Sequence, residues 1–344
     1  MTEPFDKSQR HGIFDRMDQP ATLHGPSRGT PKPPPEFDDV VTWAAWLYYV
    51  DELTQAAVAA RLGVSRASIA NYLQEARRSG RVTIRVDSAA VARTALSKAL
   101  AKRFALVAAT VVPALPDHPA EQRIGAAGAR VLADVLDPGD IIGVAWGRTI
   151  LAAARATEAS RIPDLTIVQV SGSSASSADF SPELCTTLLA NQLGARCVNL
   201  HAPAVLSSRD LRDRLLAEPS LERQFALIRS ATKVMFGVGE LGRKSTFAES
   251  DMLDPVALRQ IQSEGRAKAV IIGRLIDAAG APVPCPIDDG IVGISLADLK
   301  SVPFRLCLAG GPAKRDAILA ALNGGYATHL VTDSDTAAAL LEAN

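Results

Sequence analysis

The sequence is poor in the residues that metal centres and disulfide frameworks are built from. Its four cysteines, Cys185, Cys197, Cys285 and Cys307, stand far apart with no CxxC pair, and its five histidines are scattered. Such spacing excludes a zinc ribbon and fits reduced, packed thiols, so neither a metal nor a cofactor is expected. No apolar run approaches the roughly 18 residues that a spanning helix needs, and no basic-then-apolar pattern opens the chain. No membrane partner and a cytoplasmic location are expected. Net charge is also missing: 37 basic side chains balance 37 acidic ones. Only local clustering can therefore argue for a polyanionic partner.

What is present is an ordinary globular composition, 47% hydrophobic and 22% charged, which excludes disorder of the whole chain. At 344 residues the chain has room for one large domain and a smaller one. Residues 1–38 carry "GPSRGTPKPPPEF" and little apolar periodicity, a composition that cannot bury enough surface to offset chain entropy; an unstructured arm is expected. Residues 39–87 change character to three short helical patterns. Thr54 and Ser65 stand as N-caps, Gly63 and Gly80 as stops, and "RVTIRVD" follows as a short strand, a β-wing. Residues 88–105 hold apolar residues at helical spacing and predict a linker helix.

The segment from Gln55 to Arg78 fits a helix-turn-helix, with Ala59, Leu62, Val64, Ile69 and Leu73 available to lock the two helices together. If Ile69, Tyr72 or Leu73, and Ala76 face inward, then Arg66, Ala67, Ser68 and Asn71, with the cap Ser65, face outward from the first two turns. Arg can bridge guanine acceptors and Asn can pair with adenine, so these residues suit base edges in the major groove of double-stranded DNA. Gln55, Arg77, Arg78 and Arg81 would hold phosphates. Six arginines against four acids between Trp43 and Asp87 leave a modest positive footprint, as expected of a domain that docks in pairs. The bland alternative is a small helical bundle with solvated arginines.

Residues 106–344 alternate strand-like and helix-like stretches. The strands expected are "LVAATVV", "DIIGVAW", "LTIVQVSG", "KVMFGVG", "AVIIGRLID", "GIVGISL", "FRLCLAG" and "HLVTD". Continuous Val/Ile/Leu runs are buried on both faces, so the fold class is α/β, a parallel sheet covered by helices. Three strand-to-helix loops could hold an anion. In "VAWGRTI", Gly147 lets backbone approach a ligand, Arg148 adds charge and Thr149 can cap the helix. Gly172 and Ser173 end another strand. Gly310 and Gly311 precede Pro312, which suits a first helical position, and Lys314 lies within reach of whatever sits over that turn. Gly237 and Gly239 in "FGVGELG" form a weaker candidate. Such loops at the carboxyl ends of a parallel sheet make a crevice suited to a phosphorylated small molecule. Among Asp277, Asp288, Asp289 and Asp333, Asp277 is best placed as a general base, although capping or turn formation accounts for most of these aspartates.

"LYYVDELTQAAVAARLGVSRASIANYLQEARRSGRVTIRV", "DPGDIIGVAWGRTI", "LHAPAVLSS" and "AGGPAKRDAILAALNGGYATHLVTDSDTAAALL" together resemble the SorC family of sugar-binding transcriptional regulators, also grouped with deoxyribonucleoside-type regulators. The resemblance spans most of residues 43–341. It implies an N-terminal winged helix-turn-helix domain and a Rossmann-like, doubly wound effector domain of the sugar-phosphate isomerase/deaminase type. It implies a homodimer or homotetramer whose operator DNA binding responds to a phosphorylated sugar or polyol. By motif, Gly147, Arg148, Thr149, Gly172, Ser173, Gly310, Gly311 and Lys314 would line the effector pocket. One departure stands out: where the family commonly shows "GAVGD" before "GRFID", this chain has "RAKAV" before "GRLID", so Ala269 and Val270 replace the usual Gly and Asp. A rival class is an active sugar-phosphate isomerase or deaminase with an appended helical domain; the lost carboxylate counts against it.

Overall fold

The structure, a computed structural model, describes residues 31–344 except 85–86, 116–117, 175–179, 243–244, 251 and 344. Most of the N-terminal arm therefore lies outside the described residues. The chain divides into two compact units, Met1–Val86 and Asp87–Asn344.

In the first unit, α1 (Val40–Tyr49), α2 (Gln55–Leu62) and α3 (Arg66–Arg78) pack around Ala44, Leu47, Val58, Leu62, Ile69 and Leu73. Each helix opens on a side-chain cap. Asp39 accepts from the Thr42 amide, Thr54 from that of Ala57 and Ser65 from that of Ser68, each satisfying an amide that would otherwise lack a partner. Gly63 ends α2 at φ 65°, the left-handed conformation that glycine reaches without strain. The expected wing strand does not form over residues 81–84, and the rest of "RVTIRVD" falls partly outside the described residues. Ile84 is exposed and Arg81 is held by Asp39 at 2.8 Å; alternation alone cannot make a strand without a partner, and among the described residues this unit supplies none.

In the second unit, α4 (Ser88–Arg103) lies against β1 (Ala108–Val112) and α13 (Ser334–Glu342). Leu100 is fully buried and the Arg103 guanidinium donates to the carbonyls of Leu341 and Ala343. This helix is thus packed into the larger unit and does not serve as a bare linker. The remaining strands of the main sheet are β2 (Ile141–Val144), β3 (Thr166–Gln169), β4 (Arg196–Val198), β5 (Lys233–Phe236), β9 (Phe304–Leu308) and β10 (His329–Asp333). They run parallel in the order β1-β10-β9-β5-β2-β3-β4. Helices α5 (Ala120–Ala133), α6 (Arg148–Ala156), α7 (Pro182–Gln192), α8 (Arg209–Leu216), α9 (Pro219–Arg229), α11 (Leu296–Ser301) and α12 (Arg315–Asn323) complete the layers. Two apolar clusters flank the sheet. One is centred on Val234, Phe236 and Ile318, the other on Ile142, Ile167 and Leu308.

"AVIIGRLID" is not one parallel strand. It is a two-residue hairpin of β6 (Ala269–Ile271) and β7 (Arg274–Ile276), extended by β8 (Pro282–Val283) into a separate antiparallel sheet. With α10 (Pro255–Glu264) this sheet buries its own core of Phe247, Leu258, Val270 and Leu275. "GIVGISL" forms no strand either and makes only single bridges, Val205 to Ile291 and Ser171 to Gly293. Strand β4 was not among the expected strands, because its short exposed "RCV" lacks an apolar run.

Candidate functional site

In the main sheet, β2 leads outward through β3 to β4, whereas β5 leads the other way through β9 to β10. The carboxyl ends of β2 and β5 therefore flank the point where strand order reverses, where open parallel sheets leave a crevice. A cleft does open there, with about 550 Å³ of empty space that is partly open to solvent.

One wall is polar. Beyond β2 the chain turns at Gly147, whose φ of 123° strains any residue with a Cβ. Gly147 is the N-cap of α6 and offers no side-chain cap. Thr149, buried two residues later, does not perform the capping predicted for it. The first turn of α6 thus starts without a side-chain cap, and its residues Arg148, Thr149 and Ile150 line the cleft; an uncapped helix amino end attracts anions. Arg148 forms an ion pair with Glu249 and lies 5.2 Å above the Phe180 ring, which stacks on Trp146 at 6.1 Å. Lys314, at the end of the 3-10 turn that begins at Pro312, reaches in from β9 and is half-buried. It forms no ion pair among the described residues. Burial pushes its ammonium below the usual lysine range and Arg148 adds to this, while the carboxylates of Glu240 and Glu121 pull the other way. Glu121, Glu240 and Ser245 edge the same polar wall.

The other wall is apolar. Val238, Phe247, Val270 and Ile272 line it with Trp146. Gly239 and Val270 exchange two backbone hydrogen bonds of 2.9 Å, which seats the β6–β7 hairpin beside the end of β5.

Of the residues expected at the pocket, Gly147, Arg148, Thr149, Gly237, Gly239 and Lys314 line this cleft, and Gly310 borders its polar end. Gly311 is occupied elsewhere: its amide donates to Asp333 Oδ2 at 2.9 Å and Thr336 Oγ1 at 2.8 Å. Gly172 and Ser173 are not among the lining residues. Their amides donate to the carbonyls of Val292 and Ala202, and a Cβ on Gly172 would run into Pro203. Asp277 is a turn former whose Oδ1 accepts from the amides of Ala279 and Ala281. Asp288 accepts from the Cys285 amide, Asp289 pairs with Arg209, and Asp333 caps α13. Among these aspartates none lines the cleft, so no general base is supplied by them. Thr246, Phe247, Val270, Ile272 and Gly273 went unpredicted because they come from segments that read as loop or strand interior.

On α3, Arg66, Ala67, Asn71, Arg77 and Arg78 are exposed, opposite the buried Ile69, Leu73 and Ala76. Ser68 is half-buried and its hydroxyl lies 2.9 Å from that of Ser65, so both serines complete the cap. Gln55 is half-buried at the start of α2. Arg78 is held by Glu75 at 2.6 Å, whereas Arg66 and Arg77 form no ion pair among the described residues. Of the cysteines, Cys185, Cys285 and Cys307 are buried, and burial raises the Cys185 and Cys307 thiols to about 12. Cys197 is exposed, contrary to the packing expected of it.

The larger unit is thus a doubly wound α/β domain with a polar and an apolar wall meeting at its switch point, and the smaller one is a capped three-helix unit. Residues 88–342 match the family model Sugar-bind, a sugar-binding domain. The chain is 35% identical to the transcriptional regulator YjhU of Escherichia coli K12 over 312 residues, 88% of this chain and 94% of that one. It is 30% identical to the transcriptional regulator LsrR of the same strain, over 88% of this chain and 95% of that one. The full-length sorbitol operon regulator SorC of Klebsiella pneumoniae shares the fold at a TM-score of 0.68 and 24% identity, covering 88% of this chain and 98% of that one. The chain belongs to the SorC family of sugar-binding transcriptional regulators. It is a regulator and not an enzyme, which removes the isomerase or deaminase rival. No described helix is long and apolar enough to cross a membrane.

Proposed function

We propose that α3 reads operator DNA and that a phosphorylated sugar or polyol, bound in the cleft between the ends of β2 and β5, sets how long it stays there. The observation that carries the ligand half is Lys314, a half-buried ammonium without an ion pair among the described residues, beside the amino end of α6. A phosphate satisfies both at once. Glu240 and Glu121 on the same wall are acceptors for sugar hydroxyls. A ligand shifts DNA occupancy only by its differential affinity for two states of the protein. A homodimer or homotetramer, with paired α3 helices spaced by one or more turns of DNA, supplies such states.

The DNA half rests on the exposed face of α3. Arg66→Ala is expected to cost about 1–3 kcal/mol against the preferred operator and to relax base preference at one position. Arg77→Ala is expected to weaken all sequences alike and to flatten the salt dependence by about one unit of log–log slope. Gel-shift titrations at two salt concentrations, with specific and scrambled duplexes, separate the two. If Arg66→Ala leaves specific and scrambled binding unchanged, α3 does not read bases. Adding phosphorylated sugars to the wild-type complex tests the coupling, which predicts a change in operator affinity at saturating ligand.

A further inference from the structure

The apolar wall contains a backbone conformation that local chemistry does not favour. Ile271 pairs with Arg274, so Ile272 and Gly273 are the two central residues of the hairpin, and both have positive φ, 49° and 79°. That is the signature of a type I′ turn, where Asn, Asp or Gly is preferred at both positions. A β-branched residue with positive φ is an outlier, and such outliers persist where the surroundings or function hold them. Here Ile272 lines the cleft, with Val238, Phe247, Val270 and Trp146 around the same space. The amide or carboxylate that turn chemistry favours would have placed a polar group on this wall. The chain keeps it apolar instead.

Resting on the phosphate-binding reading above, we infer that the ligand is a deoxygenated sugar phosphate: hydroxyls near its phosphate face Glu240 and Glu121, and a methyl or methylene carbon remote from the phosphate sits against Ile272 and Val270. A hydroxyl placed there would lose its water without gaining a partner, whereas a methyl group gains burial.

Calorimetric titration of the full chain with a matched pair, fructose 1-phosphate and 6-deoxyfructose 1-phosphate, with inorganic phosphate as a third probe, tests this. The deoxy compound is expected to bind at least about tenfold more tightly than its hydroxylated partner. Ile272→Asn, which suits the turn and adds an amide, is expected to bring the pair within about threefold, by weakening the deoxy compound more than its hydroxylated partner. Val270→Thr, which adds one hydroxyl at nearly constant volume, is expected to shift the preference the same way. Equal binding of the two sugars to the wild type, with inorganic phosphate bound, overturns this inference and leaves the phosphate site standing. Preference unaltered in both variants overturns the assignment to this wall. If none of the three probes binds, the phosphate reading falls and this one with it.

Discussion

Lys314→Ala is expected to weaken binding of a phosphorylated ligand by roughly 10- to 150-fold, the equivalent of about 1.5–3 kcal/mol for one charge-assisted hydrogen bond. Operator affinity without ligand should stay at the wild-type level, since Lys314 lies in the larger unit and α3 in the smaller one. The pH dependence carries a second signature. Burial lowers the folded-state pKa of Lys314, so the ammonium loses its proton earlier than a solvated lysine would. Ligand affinity should rise as the phosphate gains its second charge near pH 6. It should then fall before the pH of about 10.4 at which an ordinary lysine titrates. In Lys314→Ala the rise remains and the alkaline fall disappears. Calorimetry across pH reads both limbs. An alkaline limb that survives in Lys314→Ala would assign it to another group.

Much of this architecture is visible before any coordinates, for identifiable reasons. Strands β2, β3, β5, β9 and β10 each carry a Val/Ile/Leu/Met/Phe stretch without polar alternation, because most of their residues are buried whichever face they point to. Helices α2 and α3 are punctuated by Thr54, Gly63 and Ser65, residues that act on their immediate neighbours and so can be read locally. What escapes a linear reading depends on partners distant in sequence. The run "AVIIGRLID" divides at Ile272 because residues 275–276 pair with 282–283 and Val270 with Gly239, and no Asn-Gly advertises the turn. "GIVGISL" is as apolar as any strand, yet its neighbours allow it only single bridges.

The site shows the same division. Gly147, Arg148, Gly237 and Gly239 follow strands directly, and position relative to a strand end is a local property. The apolar wall is assembled from Phe247, Val270 and Ile272, whose role depends on the hairpin folding back onto β5. Gly311 and Gly172 show the opposite case. Each sits at a strand end, as a phosphate loop would, but the Gly311 amide is taken by Asp333 and Thr336, and a Cβ on Gly172 would run into the Pro203 backbone. Glycine beside a strand thus marks either a ligand or a crowded crossing, and only the neighbours distinguish them.

At the far end of the same strands, the amino ends of β2 and β5, Asp140 and Lys233 form the best-buried ion pair of the described residues, at 2.5 Å with side-chain exposures of 7% and 11%. Thr232 Oγ1 donates to Asp140 at 2.7 Å and the Asp137 amide does so at 2.7 Å. Burial opposes the charge on Asp140, but the hydrogen bonds from Lys233, Thr232 and Asp137 outweigh it, and its carboxyl sits below the usual range. Asp140→Ala leaves the Lys233 ammonium buried and unmatched and is expected to cost about 3–5 kcal/mol. At about 2–4 °C per kcal/mol for a domain of this size, the thermal midpoint falls by roughly 6–20 °C. The double variant Asp140→Leu, Lys233→Met should recover most of that loss, since removing both charges also removes their desolvation cost. Because the folded pKa is depressed, the stabilisation is fully present above the unfolded value of about 3.9 and is lost as pH falls through the folded one. The gap between wild type and Asp140→Ala in denaturant melts should therefore be constant from pH 6 to pH 8 and narrow in acid. A gap that stays constant down to pH 2, or a double variant no more stable than Asp140→Ala, would mean that packing at this corner, and not the charge pair, holds β2 against β5.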